Sequence, residues 1–443
     1  MGLFSKAQAA KIMATAKKSK APVKPAQKKV NTKTITAEIA RISKEVIEYF
    51  KDSKAELITT KEQLHDYVSK MIEAGIGGID TETTGLDRVH DTIVGTSLYY
   101  PGGVEVYIPI NHIIPIFNEP YKNQLSYEDV GKEYARFIEA KTKLIFANAD
   151  FDLGFIFKDM HVDLITCCFF DVIVAWRCLK EDEKSNALKV LYAKYVLGGK
   201  GDPKRFSDFF TPELFPYCDP NVAKLYAAND AKITYELFMW QLPYIKKDNP
   251  LCKKHGFEAL SDLIWNVEIP MIAVAQKMHR QGMFIEKEVS DMLIHKYHKL
   301  LDDANLKLQS MIDDVMNGGQ YVSRTKPPFY TPQEFNPNSS KHVEWLAYDL
   351  LGLNDGRSKG TDKEVLKTFN NPILNQILYC RSLVTLISTF VDKIPEGVAE
   401  DHRIHCTFKT IGANTGRMSS ADPMEINLNW GLKIRLIQGR AVA

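Results

Sequence analysis

Two carboxylates, Asp80 and Glu82, lie two positions apart within the glycine-rich stretch 76–86, after its apolar beginning. A β-strand places residues i and i+2 on one face, so both side chains are expected to point the same way. Two carboxylates aimed at one point repel each other unless a cation lies between them, and hard oxygen ligands suit Mg²⁺ or Mn²⁺. The pair therefore predicts a metal site. A solvated strand end is the alternative, because Asp-x-Glu is a common tripeptide.

Two later clusters place polar groups on apolar elements in a similar way. The apolar run that begins at Leu144 ends in Asn148, and Asp152 follows four residues later. Tyr226 and Asp230 have the same spacing in a segment with helical periodicity, which puts the hydroxyl and the carboxylate on one helix face. Three acidic sites in this order, each on an apolar element, favour a shared site over three solvated surfaces.

The three motifs resemble those of a known nuclease superfamily in residue type, internal spacing and order. They are similar to the exonuclease motifs of the DEDD superfamily, in its tyrosine-containing branch, and are Asp80-x-Glu82, Asn148-x-x-x-Asp152 and Tyr226-x-x-x-Asp230. That branch includes the proofreading domain of DNA polymerase I. The resemblance implies an α/β fold, a ribonuclease H-like mixed sheet with flanking helices, that removes nucleotides one at a time from a DNA 3′ end.

The resemblance also implies a role for each acidic side chain. Asp80 would bridge two cations, Mg²⁺ or Mn²⁺, which about 3.5 to 4 Å apart can stabilise the attacking and departing oxygens of a phosphodiester. Glu82 and Asp230 would complete the ligands of the first cation, and Asp152 would support the second. Tyr226 would orient the attacking water, a positioning role suited to a hydroxyl whose unperturbed pKa is near ~10. A helix tyrosine packed against the sheet is the alternative for Tyr226.

Two further positions match places where the family contacts DNA. Leu86 follows the acidic pair, where the family has an apolar wedge against the terminal base; an ordinary core leucine is the alternative. Asn148 would hydrogen-bond the backbone or the sugar of the substrate.

The elements around these residues must bring three distant segments together. Residues 36–50 predict an amphipathic helix, and Thr60 and Gln63 have capping-box spacing at the start of another. Runs at 92–100 and 104–110, separated by Pro101-Gly-Gly, predict a hairpin. A helix near 127–140 and a strand at Leu144 complete a mixed sheet, at one end of which the acidic motifs could converge. Residues 169–179, with Asp171 as cap, and residues 187–197 are predicted to be helical.

From about residue 257 the pattern changes to long helices and to a second resemblance. Glu268-Ile-Pro270 resembles the entry to the polymerase domain of family A DNA polymerases, and residues 289–316 resemble its thumb helix. The block around Gly416-Arg417 resembles the family stretch whose arginine enters the minor groove at the primer terminus. An arginine there can contact acceptors that all base pairs share. A helical bundle is the alternative for this region.

The resemblance is expected to stop after Pro423. No aspartate follows Asp422, so the two palm aspartates of a polymerase are missing, and residues 424–443 are expected to form an unrelated tail with alternating apolar residues. We therefore expect a chain truncated before the polymerase active site, without nucleotide incorporation of its own, whose palm could come from a separate C-terminal fragment.

The first hypothesis for function is a metal-dependent 3′-5′ DNA exonuclease, the proofreading portion of a family A DNA polymerase, with a phage as the candidate source. The first alternative is a non-catalytic half of a split polymerase that binds primer-template DNA through the thumb and Arg417. The second is a ribonuclease D-like exonuclease acting on RNA, against which the thumb and the Gly416-Arg417 block argue.

Composition sets the domain organisation and the compartment. A length of 443 residues predicts two or three domains. Together, the lysine content and the two resemblances imply a disordered Lys-rich tail (1–35), an exonuclease domain (36–250), a helical thumb-like region (251–400) and the start of a palm with a divergent tail (401–443). The tail holds nine lysines and no acids, which leaves 48 basic against 55 acidic residues elsewhere, so only the tail is strongly basic. Seven cysteines without a C-x-x-C pair predict free thiols and a reducing cytoplasm. The sequence has no apolar run of the ~20 residues that a membrane span needs.

Overall fold

The computed structural model of the chain describes residues 32–180, 182, 185–201, 203–318, 325–329, 334–353, 360–410, 412 and 416–421. Most of the predicted Lys-rich tail and the predicted alternating segment 424–443 lie outside these residues. By their internal contacts, the described residues divide into two compact units. The sheet-containing unit comprises residues 32–281 and 407–421 with their gaps, and the helical unit comprises residues 282–406 with theirs.

The elements of the sheet-containing unit up to residue 281 follow one another in this order: α1 (Thr32–Tyr49), β1 (Glu56–Leu57), α2 (Lys61–Ala74), β2 (Ile76–Thr83), β3 (Ile93–Tyr99), β4 (Val106–Pro109), β5 (Ile113–Ile114), β6 (Glu119–Pro120), α3 (Tyr127–Ala140), β7 (Lys143–Phe146), α4 (Ala149–Met160), β8 (Cys168–Asp171), α5 (Val172–Leu179), α6 (Leu188–Leu191), α7 (Phe206–Phe209), α8 (Pro220–Ile245), α9 (Pro250–His255), α10 (Glu258–Leu263) and α11 (Ile269–Gln281). A π-helical turn, Tyr192–Val196, continues α6.

Six strands form the main sheet, in the order β1-β4-β3-β2-β7-β8. Strands β2, β3 and β4 are antiparallel neighbours, whereas β1 is parallel to β4 and β7 is parallel to both β2 and β8. The sheet is therefore mixed, with helices packed against it, as the sequence predicted. The strand that carries Asp80 and Glu82 lies in the interior of the sheet, between β3 and β7.

Local sequence signals account for several element boundaries. Thr60 and Gln63 form the predicted capping box at the start of α2, and Leu64, Val68 and Met71 of this helix are buried. The helix predicted over 169–179 is wrong in its first part, because Cys168–Asp171 is strand β8, paired with β7. Four apolar residues fit a buried parallel strand as well as a helix turn, and pairing with β7 decides between them. Asp171 still caps the helix, accepting hydrogen bonds from the N–H groups of Ile173 and Val174.

The remaining elements are β9 (Met283–Phe284), α12 (Lys287–Asn317), α13 (Ser340–Glu344), α14 (Lys363–Thr368), α15 (Pro372–Leu386), α16 (Lys393–Glu396), β10 (Arg403–Ile404), β11 (Thr407–Lys409) and β12 (Ser419–Ala421). The helix predicted over 289–316 is α12, which packs against α15 around Leu308, Ile312, Leu374 and Ile377. Strands β11 and β12 pair as an antiparallel hairpin that belongs to the sheet-containing unit.

One helical stretch of the described residues, Pro372–Glu396, is long and apolar enough to cross a membrane by length and composition. A core helix of a soluble protein passes the same test. Residues of this stretch, among them Ile373 and Cys380, belong to the core of the helical unit. By itself the stretch does not indicate a membrane span.

Candidate active site

Asp80 and Glu82 lie on one face of β2, and the structure brings Asp230 of α8 to the same point. One carboxylate oxygen of each of these three residues lies within 4.8 Å of the other two. Opposite them on β3 are Ser97 and Gly95, and the pairing of β2 with β3 shifts register just after Glu82. The convergence that the sequence predicted from the spacing of these residues is therefore present for Asp80, Glu82 and Asp230.

Helix α8 can reach β2 because residue 78 is a glycine. A Cβ atom at Gly78 would overlap the backbone carbonyl of Ala231, the residue after Asp230. Asp219 caps the start of α8, and Tyr226 and Asp230 follow one helical turn apart. The missing side chain at Gly78 thus sets the distance between the strand carboxylates and the helix carboxylate.

Asp152, in the first turn of α4, is fixed by Thr81 of β2. Its Oδ1 accepts hydrogen bonds from the Thr81 amide at 3.0 Å and from the Thr81 hydroxyl at 2.6 Å. Strand β7 pairs with β2 only as far as Gly78, which leaves the Thr81 amide free for Asp152. Asp152 is almost fully buried, and its charge acts on Asp80. The carboxylate of Asp152 therefore lies next to the cluster formed by Asp80, Glu82 and Asp230.

The electrostatics of the cluster follow from burial and like charge. Burial, followed by the charges of Asp152, Asp230 and Glu82, raises the pKa of Asp80 well above its ordinary value. Burial and the Asp230 charge raise the pKa of Glu82 to about 8. Burial raises the pKa of Asp152 to about 7, although its hydrogen bonds from Thr81 oppose the shift. Buried carboxylates of like charge resist being ionised at the same time, so a bound cation is needed before all of them are ionised.

The donor set fits a hard divalent cation. All of its members are carboxylates, which is the ligand class of Mg²⁺ and Mn²⁺. Asp230 Oδ1 is buried, and in the described part of the chain its partner is the ammonium group of Lys189, 3.0 Å away. Asp80, Glu82 and Asp230 are the residues that could hold one cation, and Asp152 lies beside Asp80, where it could contribute to a second.

Tyr226 lies in an aromatic pocket next to the carboxylates. It is 3% exposed, and the rings of Phe50, Phe206, Phe209 and Phe210 approach it edge-on with centroids 5.7 to 6.3 Å away. Burial, followed by the charge of Asp230, raises its pKa well above the ordinary value, so the hydroxyl keeps its proton at neutral pH. Tyr226 is therefore a well-packed helix tyrosine. This packing does not exclude a role at the site, because the charges of three carboxylates of the cluster act on the Tyr226 hydroxyl.

The sequence analysis missed Lys189 as a site residue. Its Nζ lies 3.0 Å from Asp230 Oδ1 and 3.2 Å from the centre of the Tyr226 ring, and both charged side chains are 12% exposed. Lys189 is one of two lysines in a predicted helix, and no motif marks it. Its place beside the carboxylates depends on how α6 packs against α8, which the sequence does not reveal.

Leu86 is not a core residue, because its side chain is 79% exposed. The loop that carries it is anchored by Arg88, which is buried and donates to Asp150 Oδ2 at 2.5 Å. Gln276 of α11 donates to the other oxygen of Asp150 at 2.7 Å. The exposed leucine thus stands on a loop that is tied to α4, the helix of Asp152.

Asn148 and Arg417 are both exposed. Asn148 precedes α4 in the left-handed conformation (φ 76°), and the adjacent Ala149 amide donates to the buried carboxylate of Asp171 at 2.7 Å. Arg417 precedes strand β12, and its carbonyl accepts a hydrogen bond from the Gly412 amide. Within the described ranges, no hydrogen bond or ion pair joins the Arg417 side chain to the acidic cluster.

Two protein families match separate parts of the chain. Residues 55–240 match the 3′-5′ exonuclease family, and residues 317–436 match DNA polymerase family A. The first match contains all four carboxylates and Tyr226. The second continues beyond Pro423, so the expectation that the resemblance stops there is wrong.

Curated relatives cover most of this chain. DNA polymerase I of Pseudomonas aeruginosa is 25% identical over 399 residues, which are 85% of this chain and 38% of that protein. The DNA polymerase of Escherichia phage T5 is 25% identical over 441 residues, or 88% of this chain and 48% of that protein. The chain thus spans less than half the length of these two relatives.

A solved structure has a similar fold. It is the POL domain of Pol1 from M. smegmatis in complex with DNA primer-template and dNTP. Its TM-score is 0.62 at 17% sequence identity, and the similarity covers 86% of this chain and 57% of that one.

Proposed function

We propose that this chain, whose residues 55–240 match the 3′-5′ exonuclease family and whose residues 317–436 match DNA polymerase family A, removes nucleotides from DNA 3′ ends in a metal-dependent reaction. The observation that carries the proposal is the convergence of oxygens from Asp80, Glu82 and Asp230 within 4.8 Å of one another. Proofreading of a primer terminus is the corresponding role in replication or repair. As its relatives are bacterial and phage DNA polymerases, we place the protein inside a bacterial or phage-infected cell.

The side chains divide the work of hydrolysis. Divalent cations, when bound, supply an activated water and stabilise the departing 3′ oxygen. Asp80, Glu82 and Asp230 would hold the first cation, and Asp152, fixed by Thr81, would contribute to a second. Tyr226 keeps its proton and positions the attacking water through its hydroxyl.

The residues around the cluster position the DNA. Leu86, exposed on an anchored loop, packs against the terminal base, and Asn148 contacts the backbone or sugar. An apolar wedge separates the last base from its neighbour and so favours a frayed, mispaired end, which is less costly to unstack.

A second function, primer-template binding, is favoured by the match of residues 317–436 to polymerase family A and by the structural neighbour, which holds primer-template DNA. In this proposal Arg417 contacts duplex DNA near the primer terminus. The two functions are compatible, since a bound primer end can be transferred to the exonuclease site.

The test is degradation of 5′-labelled substrates by the purified chain. We expect Mg²⁺ or Mn²⁺ to support shortening of single-stranded DNA and of a mispaired primer from the 3′ end, with EDTA abolishing it. Parallel reactions use RNA of the same sequence and DNA blocked by a 3′-terminal phosphorothioate. Degradation of RNA in preference to DNA would overturn the proposal in favour of RNA processing, and binding of primer-template without any shortening would leave only the second function.

A further inference from the structure

Lys189 places a positive charge inside the carboxylate site. Its Nζ is 3.0 Å from Asp230 Oδ1, one of the three residues whose oxygens converge. Its side chain is 12% exposed, as is that of Asp230, so little solvent separates the two charges. No other Lys or Arg side chain in the described part of the chain forms an ion pair with these three carboxylates.

The attraction between Lys189 and Asp230 comes from their opposite charges more than from a well-directed hydrogen bond. Neither Lys189 Nζ nor Asp230 Oδ1 has a hydrogen bond of good geometry among the described residues. The ammonium instead lies over the face of Tyr226, 3.2 Å from the ring centre, where the ring quadrupole attracts a cation. Lys189 therefore touches both functional groups of α8, the carboxylate and the tyrosine.

Lys189 and a divalent cation compete for the carboxylate of Asp230. A cation at the cluster needs an oxygen of Asp230, and the oxygen nearest to Lys189 is buried and otherwise unsatisfied. Two cations competing for one carboxylate repel each other strongly at this range, because burial reduces screening. Metal binding and the Lys189–Asp230 contact are thus expected to oppose each other.

We propose that Lys189 is a built-in counter-cation of the exonuclease site, which holds Asp230 and Tyr226 in place when no divalent cation is bound and competes with that cation for Asp230. The inference rests on the proposed function, since it takes Asp80, Glu82 and Asp230 as metal ligands. It assigns Lys189 a positioning role, and it makes the metal affinity of this site lower than its carboxylates alone would give.

The test is binding of Mn²⁺ to the full chain without DNA, followed by electron paramagnetic resonance of the free ion. We expect Lys189→Met to bind Mn²⁺ at least about tenfold more tightly than the unmodified chain, because the competing charge is gone. Lys189→Arg keeps the charge and is expected to bind Mn²⁺ more weakly than Lys189→Met. The matched control is Lys194→Met, which removes an exposed lysine that lies 5.1 Å from the ring of Tyr195, and its Mn²⁺ affinity should be unchanged.

Thermal unfolding provides a second measurement. Without divalent ions, Lys189→Met should melt at a lower temperature than the unmodified chain, and saturating Mn²⁺ should remove most of this difference. Equal Mn²⁺ affinities for Lys189→Met and the unmodified chain would overturn the inference. Asp80→Asn tests the metal site itself. If this variant binds Mn²⁺ as well as the unmodified chain does, the assignment of the metal ligands fails, and the inference about Lys189 fails with it.

Discussion

At the scale of single residues, the carboxylates and Tyr226 make different contributions that mutation can separate. Asp80 interacts with all three other carboxylates, so Asp80→Asn should lower the exonuclease rate by about 100-fold or more and weaken Mn²⁺ binding. Tyr226→Phe keeps the ring in its aromatic pocket and removes only the hydroxyl. Its rate should fall by about tenfold or more with Mn²⁺ binding retained.

These two variants are compared with Asp248→Asn, which changes an exposed aspartate of the same unit. Single-turnover rates on labelled DNA and Mn²⁺ titrations provide the measurements. Near-normal turnover of Asp80→Asn would remove Asp80 from the site, and loss of Mn²⁺ binding in Tyr226→Phe would show that the hydroxyl is needed to hold the ligands.

At the scale of elements, the site depends on how closely α8 approaches β2. Gly78→Ala would place a Cβ atom against the Ala231 carbonyl, and backbone cannot move aside as a flexible side chain can. We expect the chain to lose about 2 kcal/mol or more of stability and most of its exonuclease activity. Gly154→Ala is the control, because its Cβ would lie 3.4 Å from Arg88 Cδ, an ordinary contact. Denaturant unfolding and the exonuclease assay measure both variants, and full activity in Gly78→Ala would mean that α8 can retreat without disturbing Asp230.

The end of helix α1 also borders the site, although α1 precedes residue 55, where the match to the exonuclease family begins. Phe50, the residue after α1, packs edge-on against Tyr226 and lies near Phe209. Phe50→Ala should cost about 2 kcal/mol and reduce the exonuclease rate several-fold, because Tyr226 loses one wall of its pocket. Ile47→Ala, at a half-exposed position of the same helix, should leave the rate unchanged. A Phe50→Ala chain with lower stability and a normal rate would limit α1 to a structural role.

At the scale of the whole molecule, the charge of the site couples to the stability of the fold. In the metal-free chain the pKa of Glu82 is raised to about 8 and that of Asp152 to about 7, whereas in the unfolded chain both are near 4. The folded state therefore binds more protons than the unfolded state between about pH 4 and pH 8, and its stability falls as pH rises through this window.

We expect the metal-free chain to melt several degrees lower at pH 8 than at pH 5.5, and saturating Mg²⁺ or Mn²⁺ to flatten this dependence, because the cation favours the ionised carboxylates. Thermal unfolding in EDTA and in Mn²⁺ over this range measures the effect, with Asp80→Asn as the variant that relieves the repulsion. A melting temperature that rises from pH 5.5 to pH 8 in EDTA would contradict the assigned shifts.

The sequence by itself predicted that the carboxylates of Asp80, Glu82 and Asp230 converge. The spacing of Asp80 and Glu82 on a strand, and of Tyr226 and Asp230 on a helix, follows from the periods of those elements, so the shared faces were predictable without coordinates. The capping box at Thr60 was predictable for the same reason, because it depends on a local pattern.

Only the tertiary structure decided the features that depend on packing between distant segments. The sequence left Leu86 open between core and surface, and the fold exposes it. Residues 168–171 became a strand because β7 offered a partner, against a local pattern that also suits a helix. Lys189 lies beside Asp230, and Gly78 allows α8 to pack closely against β2. Both features depend on contacts between residues that are far apart in the chain. Side-chain periodicity fixes which face a residue occupies, but the residues that meet there from other elements are set by packing across the core.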